Sequence, residues 1–260
     1  MAQMREMTAN KMKVKIYENR LQMGNEAASE VGKKIEELLM DREFVNIIFA
    51  AAPSQNEFLF SLCQQKNVDW GRVNAFHMDE YVGLDEGAPQ SFGQFLRERI
   101  FDKVPVNKVY YINGKPDDLN NECYRYSRLL QQHPTDIVCM GIGENTHIAF
   151  NDPHVADFND PLGIKVVALD EVSRQQQVND GCFKRIEDVP KYAITLTVPT
   201  LLHADCIYCL VPGSNKASAI NYTINSEVNE SYPSTSLKNH RNAILYLDKD
   251  SAAKLKEIIL

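Results

Sequence analysis

The stretch CMGIGENTHIAFNDP, residues 139–153, decides the fold predicted for this chain. The apolar run at residues 136–140 predicts a central β-strand, which ends at Gly141 and Gly143. Glycines at a strand end permit positive φ angles or a close approach of the backbone to a ligand. Ligands of open parallel α/β sheets bind at the carboxyl ends of strands, so we expect a functional site here. Five side chains that can hydrogen-bond or ionise follow the glycines: Glu144, Asn145, His147, Asn151 and Asp152.

Strand-like and helix-like segments alternate on both sides of this stretch. The pattern predicts an α/β fold, a three-layer, mainly parallel Rossmann-like sheet with helices on both faces. We expect residues 1–260 to form a single domain, with residues 1–24 as an N-terminal extension. Further strands are predicted at 14–17 (an edge strand), 45–50, 73–78, 108–112, 164–169, 193–198, 206–211 and 243–247. Helices are predicted at 25–40 (N-cap Asn25), from Ser54 (the N-cap) to 65, at 91–100, at 117–131, from residue 213 onward and at 251–259. The polar segment 171–183 is interpreted as a mobile lid.

Composition narrows the class of protein. The chain has 260 residues, of which 44% are hydrophobic and 24% charged, as in ordinary globular proteins. A net charge of −7 and the lack of a basic run argue against a nucleic-acid partner. The apolar stretches have the length of strands, so no membrane partner or membrane-spanning helix is expected. Six cysteines without framework spacing indicate reduced thiols in a cytoplasmic protein.

Three predicted strand ends bring polar side chains into one crevice: residues 79–80, the turn 143–152 and residues 214–216. His147 can accept and donate protons near neutral pH, and either Glu144 or Asp152 would hold its tautomer through one ring nitrogen. A buried Asp79 would have a raised pKa, which makes it a usable base for a carbon acid.

A metal centre is the competing interpretation of the same region. Its ligands would come from His77, Asp79, His147, Asp152 and His154. No HExxH or paired-cysteine spacing accompanies them, so we predict a site without metal.

Two long motifs resemble those of glucosamine-6-phosphate deaminases. Residues 76–84, FHMDEYVGL, are similar to the family's FNMDEYVGL, and residues 141–153 resemble its GxGxDGHIAFNEP. Weaker matches follow at 189–193, 200–202, 213–216 and 236–240, so that the likeness spans about residues 25 to 250. The resemblance implies an isomerase and deaminase that converts a hexosamine 6-phosphate to a ketose 6-phosphate and ammonia. The implied partner is a small-molecule sugar phosphate, and a homo-oligomer stays open.

The resemblance also implies roles for individual residues. Asp79 would take the C2 proton and return it to C1, His147 would open the sugar ring, and Lys216 would bind the phosphate. This chain departs from the family at Asn145, where the family has aspartate, and at Asp152, where it has glutamate. Residues 51–55, AAPSQ, replace the usual TGGT phosphate loop. The predicted catalytic residues are Asp79, His147, Asn145, Asp152 and Glu144. The predicted substrate-binding residues are Ser54, Gln55, Glu80, Gly143, Arg174 and Lys216.

Two alternatives to this function remain. One is a hydrolase like 6-phosphogluconolactonase, which shares the fold and a similar glycine–histidine turn. The other is a non-catalytic sugar-phosphate-binding protein of the kind found as effector domains in transcription regulators. The HIAFN continuation and the DEY triplet at residues 79–81 favour the deaminase, and the acidic chain offers no DNA-binding segment.

Overall fold

The computed structural model describes residues 5–85 and 87–255. Its strands are β1 Arg5–Ala9, β2 Met12–Tyr17, β3 Val45–Phe49, β4 Val73–His77, β5 Asp79–Tyr81, β6 Lys108–Tyr110, β7 Ile137–Met140, β8 Ile164–Ala168, β9 Tyr192–Leu196, β10 Cys206–Val211 and β11 Ala243–Asp248. Its α-helices are α1 Arg20–Leu39, α2 Asn56–Cys63, α3 Phe92–Leu96, α4 Leu119–Gln132, α5 Glu171–Asn179, α6 Val198–Leu202 and α7 Ala217–Asn225.

Eight strands form the main sheet, in the order β1-β2-β11-β10-β7-β3-β4-β6. All neighbours pair in parallel except β1 and β2. The chain runs from β3 through β4 to β6 at one edge and later returns to β7 beside β3. It then continues to β10 and β11 on the other side of β7. Ligand crevices of open α/β sheets lie where the strand order reverses in this way, outside the carboxyl ends of the strands.

The two faces of β7 explain why it lies inside the sheet. Ile137 and Cys139 belong to one hydrophobic cluster, whereas Val138 and Met140 belong to another. Successive side chains of a strand point to opposite faces, so a strand that is apolar at every position must be covered on both sides. Helices cover both faces of the sheet, and the predicted three-layer α/β class is therefore confirmed.

A second, antiparallel sheet has the order β5-β9-β8. The sequence predicted β8 and β9 as strands, at 164–169 and 193–198, but neither the strand β5 nor a second sheet. Met78 separates β4 from β5, and its carbonyl accepts a hydrogen bond from the Leu196 N–H at 2.8 Å. This bond joins β9 to the end of β4, so that Asp79 begins β5 at the edge of the crevice.

The first helix begins earlier than predicted. Asn19, not Asn25, is its N-cap, because the Asn19 Oδ1 accepts a hydrogen bond from the Gln22 N–H at 3.0 Å. Gly24 lies inside α1, where an added Cβ would be 2.9 Å from the Phe58 nitrogen of α2. A glycine usually suggests a break in a helix, but Gly24 is required here by the close contact between α1 and α2.

The ends of the chain also differ from the predictions. Strand β2 is not an edge strand, because β1 pairs with it on its outer side. Of the helix predicted at 251–259, residues 251–254 form turns, and residues 256–260 lie outside the described residues. None of the described helices combines the length and the apolar character needed to cross a membrane.

Candidate active site

A cavity of about 150 Å³ lies at the carboxyl ends of β3, β7 and β10. Residues from all three predicted strand ends line it, together with Ser54 after β3: Asp79, Gly143, His147, Asn215 and Lys216. We call this cavity the cleft.

Asp79 lies in the cleft as the first residue of β5 and is 8% exposed. Burial raises the pKa of its carboxyl group well above the usual range, and the charge of Glu80 raises it further. The backbone of Asp79 is held by His77, whose Nδ1 donates to the Asp79 carbonyl at 2.9 Å while its Nε2 accepts from the Ile112 N–H at 2.8 Å. Burial lowers the pKa of His77 to about 4, although its bond to the Asp79 carbonyl acts in the opposite direction. His77 is thus neutral, and its hydrogen bond fixes the backbone of Asp79.

Gly143 provides the space for the His147 ring. An added Cβ at Gly143 would lie 2.1–2.4 Å from three ring atoms of His147, which no side chain permits. The two residues are also joined by a hydrogen bond of 2.9 Å from the Gly143 N–H to the His147 carbonyl. Gly141 and Gly143 do not have positive φ; Thr146 takes the left-handed conformation in this turn, at 72°. The group that approaches the backbone of Gly143 closely is therefore the ring of His147.

The tautomer of His147 follows from its neighbour Asn145. The Nδ2 of Asn145 donates to the carboxylates of Asp152 and Asp170, at 3.0 Å each, which fixes the orientation of the amide. Its Oδ1 then faces the Nδ1 of His147 at 2.7 Å. An amide oxygen can only accept, so Nδ1 must carry the proton. The Nε2 of His147 is left with its lone pair, and no described residue hydrogen-bonds to it.

Asp152, rather than Glu144, is the carboxylate beside His147. Its Oδ1 lies 3.1 Å from the histidine Nδ1. Burial by itself raises the pKa of Asp152, but the hydrogen bond and charge of His147, with the donors Asn145 and Ser173, lower it to about 2. Glu144 instead accepts a hydrogen bond from the Asn215 Nδ2 at 2.8 Å. The imidazole is therefore paired with an ionised carboxylate.

Lys216 lines the cleft and follows β10. It is 5% exposed, and its ammonium group makes no hydrogen bond or ion pair with another described residue. Burial lowers its pKa, while the charges of Asp180 and Glu144 raise it. A buried ammonium without a protein partner is costly, so this group is suited to an anionic ligand.

Ser54 and Gln55 lie in a 3-10 turn that precedes α2. Ser54 lines the cleft but does not cap α2, whose N-cap residue is Gln55. Gln55 is buried, and its Nε2 donates to the Ser54 Oγ at 3.1 Å and to the Leu210 carbonyl at 3.2 Å. Gln55 therefore supports Ser54 from below.

Besides Gln55, two of the predicted substrate-binding residues do not line the cleft. The carboxylate of Glu80 accepts hydrogen bonds from the backbone N–H groups of Tyr81, Phe92 and Gly93, at 2.9–3.1 Å, and thereby holds the start of α3. The guanidinium of Arg174 donates to the carbonyls of two residues that follow α5, Ile186 and Val189. Both side chains satisfy backbone groups and are corrected here to structural roles.

Other residues of the cleft were not anticipated from the sequence: Arg20, Ser173, Gln176, Gln177 and Asp180. Arg20 lines the cleft and is held by Glu57, with 2.6 Å from its Nε to a carboxylate oxygen. It was missed because the predicted start of α1 lay beyond it. The remaining four lie on or directly after α5, within the segment interpreted as a lid, and three of them line the cleft.

Among the described residues, the five of the competing metal interpretation do not come together as one group of ligands. Both ring nitrogens of His77 are bonded to backbone groups, as described above. Among the described residues, the ligand atoms of Asp152, His154 and Asp170 come within 4.8 Å of one another. Asp152 already accepts hydrogen bonds from Asn145, from Ser173 and from the Asp170 N–H. The absence of a metal requirement stays a prediction.

A buried carboxyl group of raised pKa, together with a histidine bound to an ionised carboxylate in one strand-end cleft, defines an enzyme that transfers protons on a Rossmann-like α/β scaffold. A family model matches residues 18–246. The chain belongs to that family, glucosamine-6-phosphate isomerases/6-phosphogluconolactonase.

Individual relatives cover most of the chain. A glucosamine-6-phosphate deaminase of Bacillus cereus is 34% identical over 235 residues, which are 90% of this chain and 87% of that protein. One of Listeria monocytogenes is 35% identical over 92% of this chain and 97% of its own. The solved structure of a monomeric glucosamine-6-phosphate deaminase has a TM-score of 0.85 at 28% identity, covering 93% of this chain and 99% of that one. A 6-phosphogluconolactonase from Thermotoga maritima shares the fold, with a TM-score of 0.74 at 17% identity over 91% and 99% of the two chains.

Proposed function

We propose that this enzyme converts a hexosamine 6-phosphate into a ketose 6-phosphate and ammonia. The observation that carries the proposal is a buried carboxyl group, Asp79, in the same cleft as the lone pair of His147 and the unpaired ammonium of Lys216. Lactone hydrolysis needs no base for a carbon acid, whereas isomerisation of an amino sugar does. The relatives named as deaminases support the same choice.

The first step in this proposal is the opening of the sugar ring. The Nε2 of His147 accepts the proton of the anomeric hydroxyl, and the imidazolium so formed returns it to the ring oxygen as the bond between that oxygen and C1 breaks. The imidazolium that forms is stabilised by Asp152, which is ionised and lies 3.1 Å from Nδ1. Its Nδ1 proton remains held by Asn145. This division of roles lets a neutral amide fix the tautomer while a single carboxylate supplies the charge.

The second step moves one proton between two carbons. Asp79 takes the proton from C2 while the ammonium group of the open-chain substrate gives a proton to the C1 oxygen, which leaves an enolamine. Asp79 then returns its proton to C1. The product is an iminium at C2, to which water adds before ammonia leaves. A carboxylate in a buried position is a stronger base than one in water, because burial disfavours its charge. Burial of Asp79 therefore serves the reaction.

The phosphate is assigned to Lys216. Its ammonium lines the cleft together with Ser54 and Arg20, and these residues take the place of the family's usual glycine loop. We also propose that residues 1–260 form one domain and that the enzyme acts in the cytoplasm, without metal or cofactor.

The test is an assay of ammonia release and ketose formation across hexosamines and hexosamine 6-phosphates, with 6-phosphogluconolactone as an alternative substrate. We expect ammonia and ketose in equal amounts from at least one phosphorylated hexosamine. Asp79→Asn should abolish both, and Asp85→Asn, a change at an exposed aspartate, is the matched control. Hydrolysis of the lactone without ammonia release from any amino sugar would overturn the proposal.

A further inference from the structure

We propose that Ser173 is a positioning residue that ties the imidazole of His147 to the Asp152 carboxylate. It lies in the first turn of α5 and is fully buried. Its backbone N–H donates to the N-cap aspartate, Asp170, at 2.7 Å. The side-chain hydroxyl is therefore not needed to cap the helix and is available to the cleft.

The hydroxyl of Ser173 contacts three groups of the site. It donates to Asp152 Oδ1, lies 2.9 Å from the Nδ1 of His147 and accepts from the Nδ2 of Asn145 at 3.4 Å. An ionised carboxylate can only accept, so the hydroxyl hydrogen points to Asp152. The oxygen lone pairs then face the N–H groups of the other two residues. Ser173 is thus a second acceptor for the Nδ1 proton and a clamp on the carboxylate.

The clamp determines where the carboxylate charge lies. The other donors to Asp152 are the side-chain amide of Asn145, at 3.0 Å from Oδ1, and the Asp170 N–H, at 3.3 Å from Oδ2. Without the hydroxyl, these two donors alone would orient the carboxylate. Of these two, Asn145 alone also contacts the imidazole, so Oδ1 would be held less firmly beside Nδ1. The imidazolium formed during ring opening would then lose part of its counter-charge.

The same contact joins the His147 site to a helix that forms one wall of the cleft. About one turn further along α5, the Gln176 Oε1 accepts a hydrogen bond from the Glu144 N–H at 2.9 Å. Gln177 and Asp180 also line the cleft. The position of α5 therefore sets both the shape of the wall and the geometry of the imidazole, so a displaced α5 would leave His147 without its clamp.

The spectroscopic test does not depend on the proposed function. The Nδ1–H proton of His147 should give a slowly exchanging, low-field resonance, assigned by its loss in His147→Gln. In Ser173→Ala it should move upfield and exchange faster with water, because one of its acceptors is gone. Gln175→Ala is the matched control, since this exposed residue of α5 bonds only to Asn179 within the helix. A resonance unchanged in Ser173→Ala would overturn the proposal.

The kinetic test rests on the proposed function. Ser173→Ala should lower kcat on a cyclic hexosamine 6-phosphate by about tenfold, a fraction of the effect of a general acid or base, with little change in KM. An analogue methylated at its 4- and 5-hydroxyls cannot close into a ring and should lose much less. Equal losses on both substrates would overturn a role in ring opening. An enzyme that releases no ammonia from any hexosamine would refute the proposed function, while the resonance would still decide the role of Ser173.

Discussion

Replacing Lys216 by methionine tests the phosphate end of the cleft. Methionine has nearly the volume of the lysine stem, so the packing of this buried position should survive. A hydrogen bond to a charged group contributes about 1.5–3 kcal/mol, so a phosphorylated ligand should bind about 10- to 150-fold more weakly. An unphosphorylated sugar makes no such contact and should bind equally to both proteins.

The assay is calorimetric titration with a hexosaminitol 6-phosphate, a reduced sugar that cannot react, and with the same alcohol lacking phosphate. Lys238→Met is the matched control, because Lys238 is also buried but donates to the Ser226 carbonyl outside the cleft. It should leave both affinities unchanged. If Lys216→Met binds the two alcohols as the parent does, the phosphate lies elsewhere. If the parent itself prefers the unphosphorylated alcohol, the assigned substrate class is refuted.

Lys216→Met should also change how the free energy of unfolding depends on pH. Burial lowers the pKa of Lys216 in the folded state below its ordinary value of 10.5. The unfolded chain therefore binds more protons in the window just below pH 10.5, and the free energy of unfolding of the parent should rise with pH there. Lys216→Met should lack this contribution and be more stable than the parent at neutral pH. Urea denaturation across this window measures both effects, and an equal pH slope in the two proteins would contradict the burial argument.

Three further predictions concern the acids and the histidine. Asp79→Asn should still bind the reduced sugar phosphate but lose solvent deuterium incorporation at C1 of the product; incorporation at the parent's rate, by mass spectrometry, would exclude Asp79 as the base. His147→Gln should slow turnover of the cyclic substrate by about 10²–10⁴-fold, with a much smaller loss for an open-chain analogue. Equal losses would reject ring opening by His147. Glu80→Gln should lower the free energy of unfolding by about 1–3 kcal/mol. Glutamine replaces one carboxylate oxygen by an NH2 group, so a side-chain donor would face backbone N–H groups that need an acceptor. Removing the Glu80 charge should also lower the pKa of Asp79 and shift the acid limb of activity to lower pH, and an unmoved limb would contradict the coupling.

The sequence was sufficient for features that depend on neighbouring residues. The apolar run at 137–140 and the alternation of strands and helices predicted the α/β class, because burial on both faces of a strand leaves a local pattern. The turn after β7 and the strand end at Asp79 were expected in one crevice, since parallel strands end at the same edge of a sheet. The structure places both there.

Two pairs of adjacent residues show what could not be predicted from local sequence. Asp79 lies in the cleft whereas Glu80 binds the start of α3, and Ser173 contacts His147 whereas Arg174 binds carbonyls after its helix. The sequence shows that such neighbours point to different sides of a strand or helix. Which side is the cleft depends on how the element packs against distant parts of the chain.

Pairing between distant segments decided the rest. Antiparallel pairing of β5 with β9 separates the small sheet from the main one, and the packing of α1 against α2 brings Arg20 to the cleft. These contacts join residues more than 30 positions apart, for which a single sequence has no local signal. The sequence by itself therefore determined the class of fold and predicted the two acid–base groups that we propose, Asp79 and His147. The tertiary structure alone decided which carboxylate pairs with His147, which hydroxyl contacts both and which cations line the cleft, because each depends on side chains that meet only when the chain is folded.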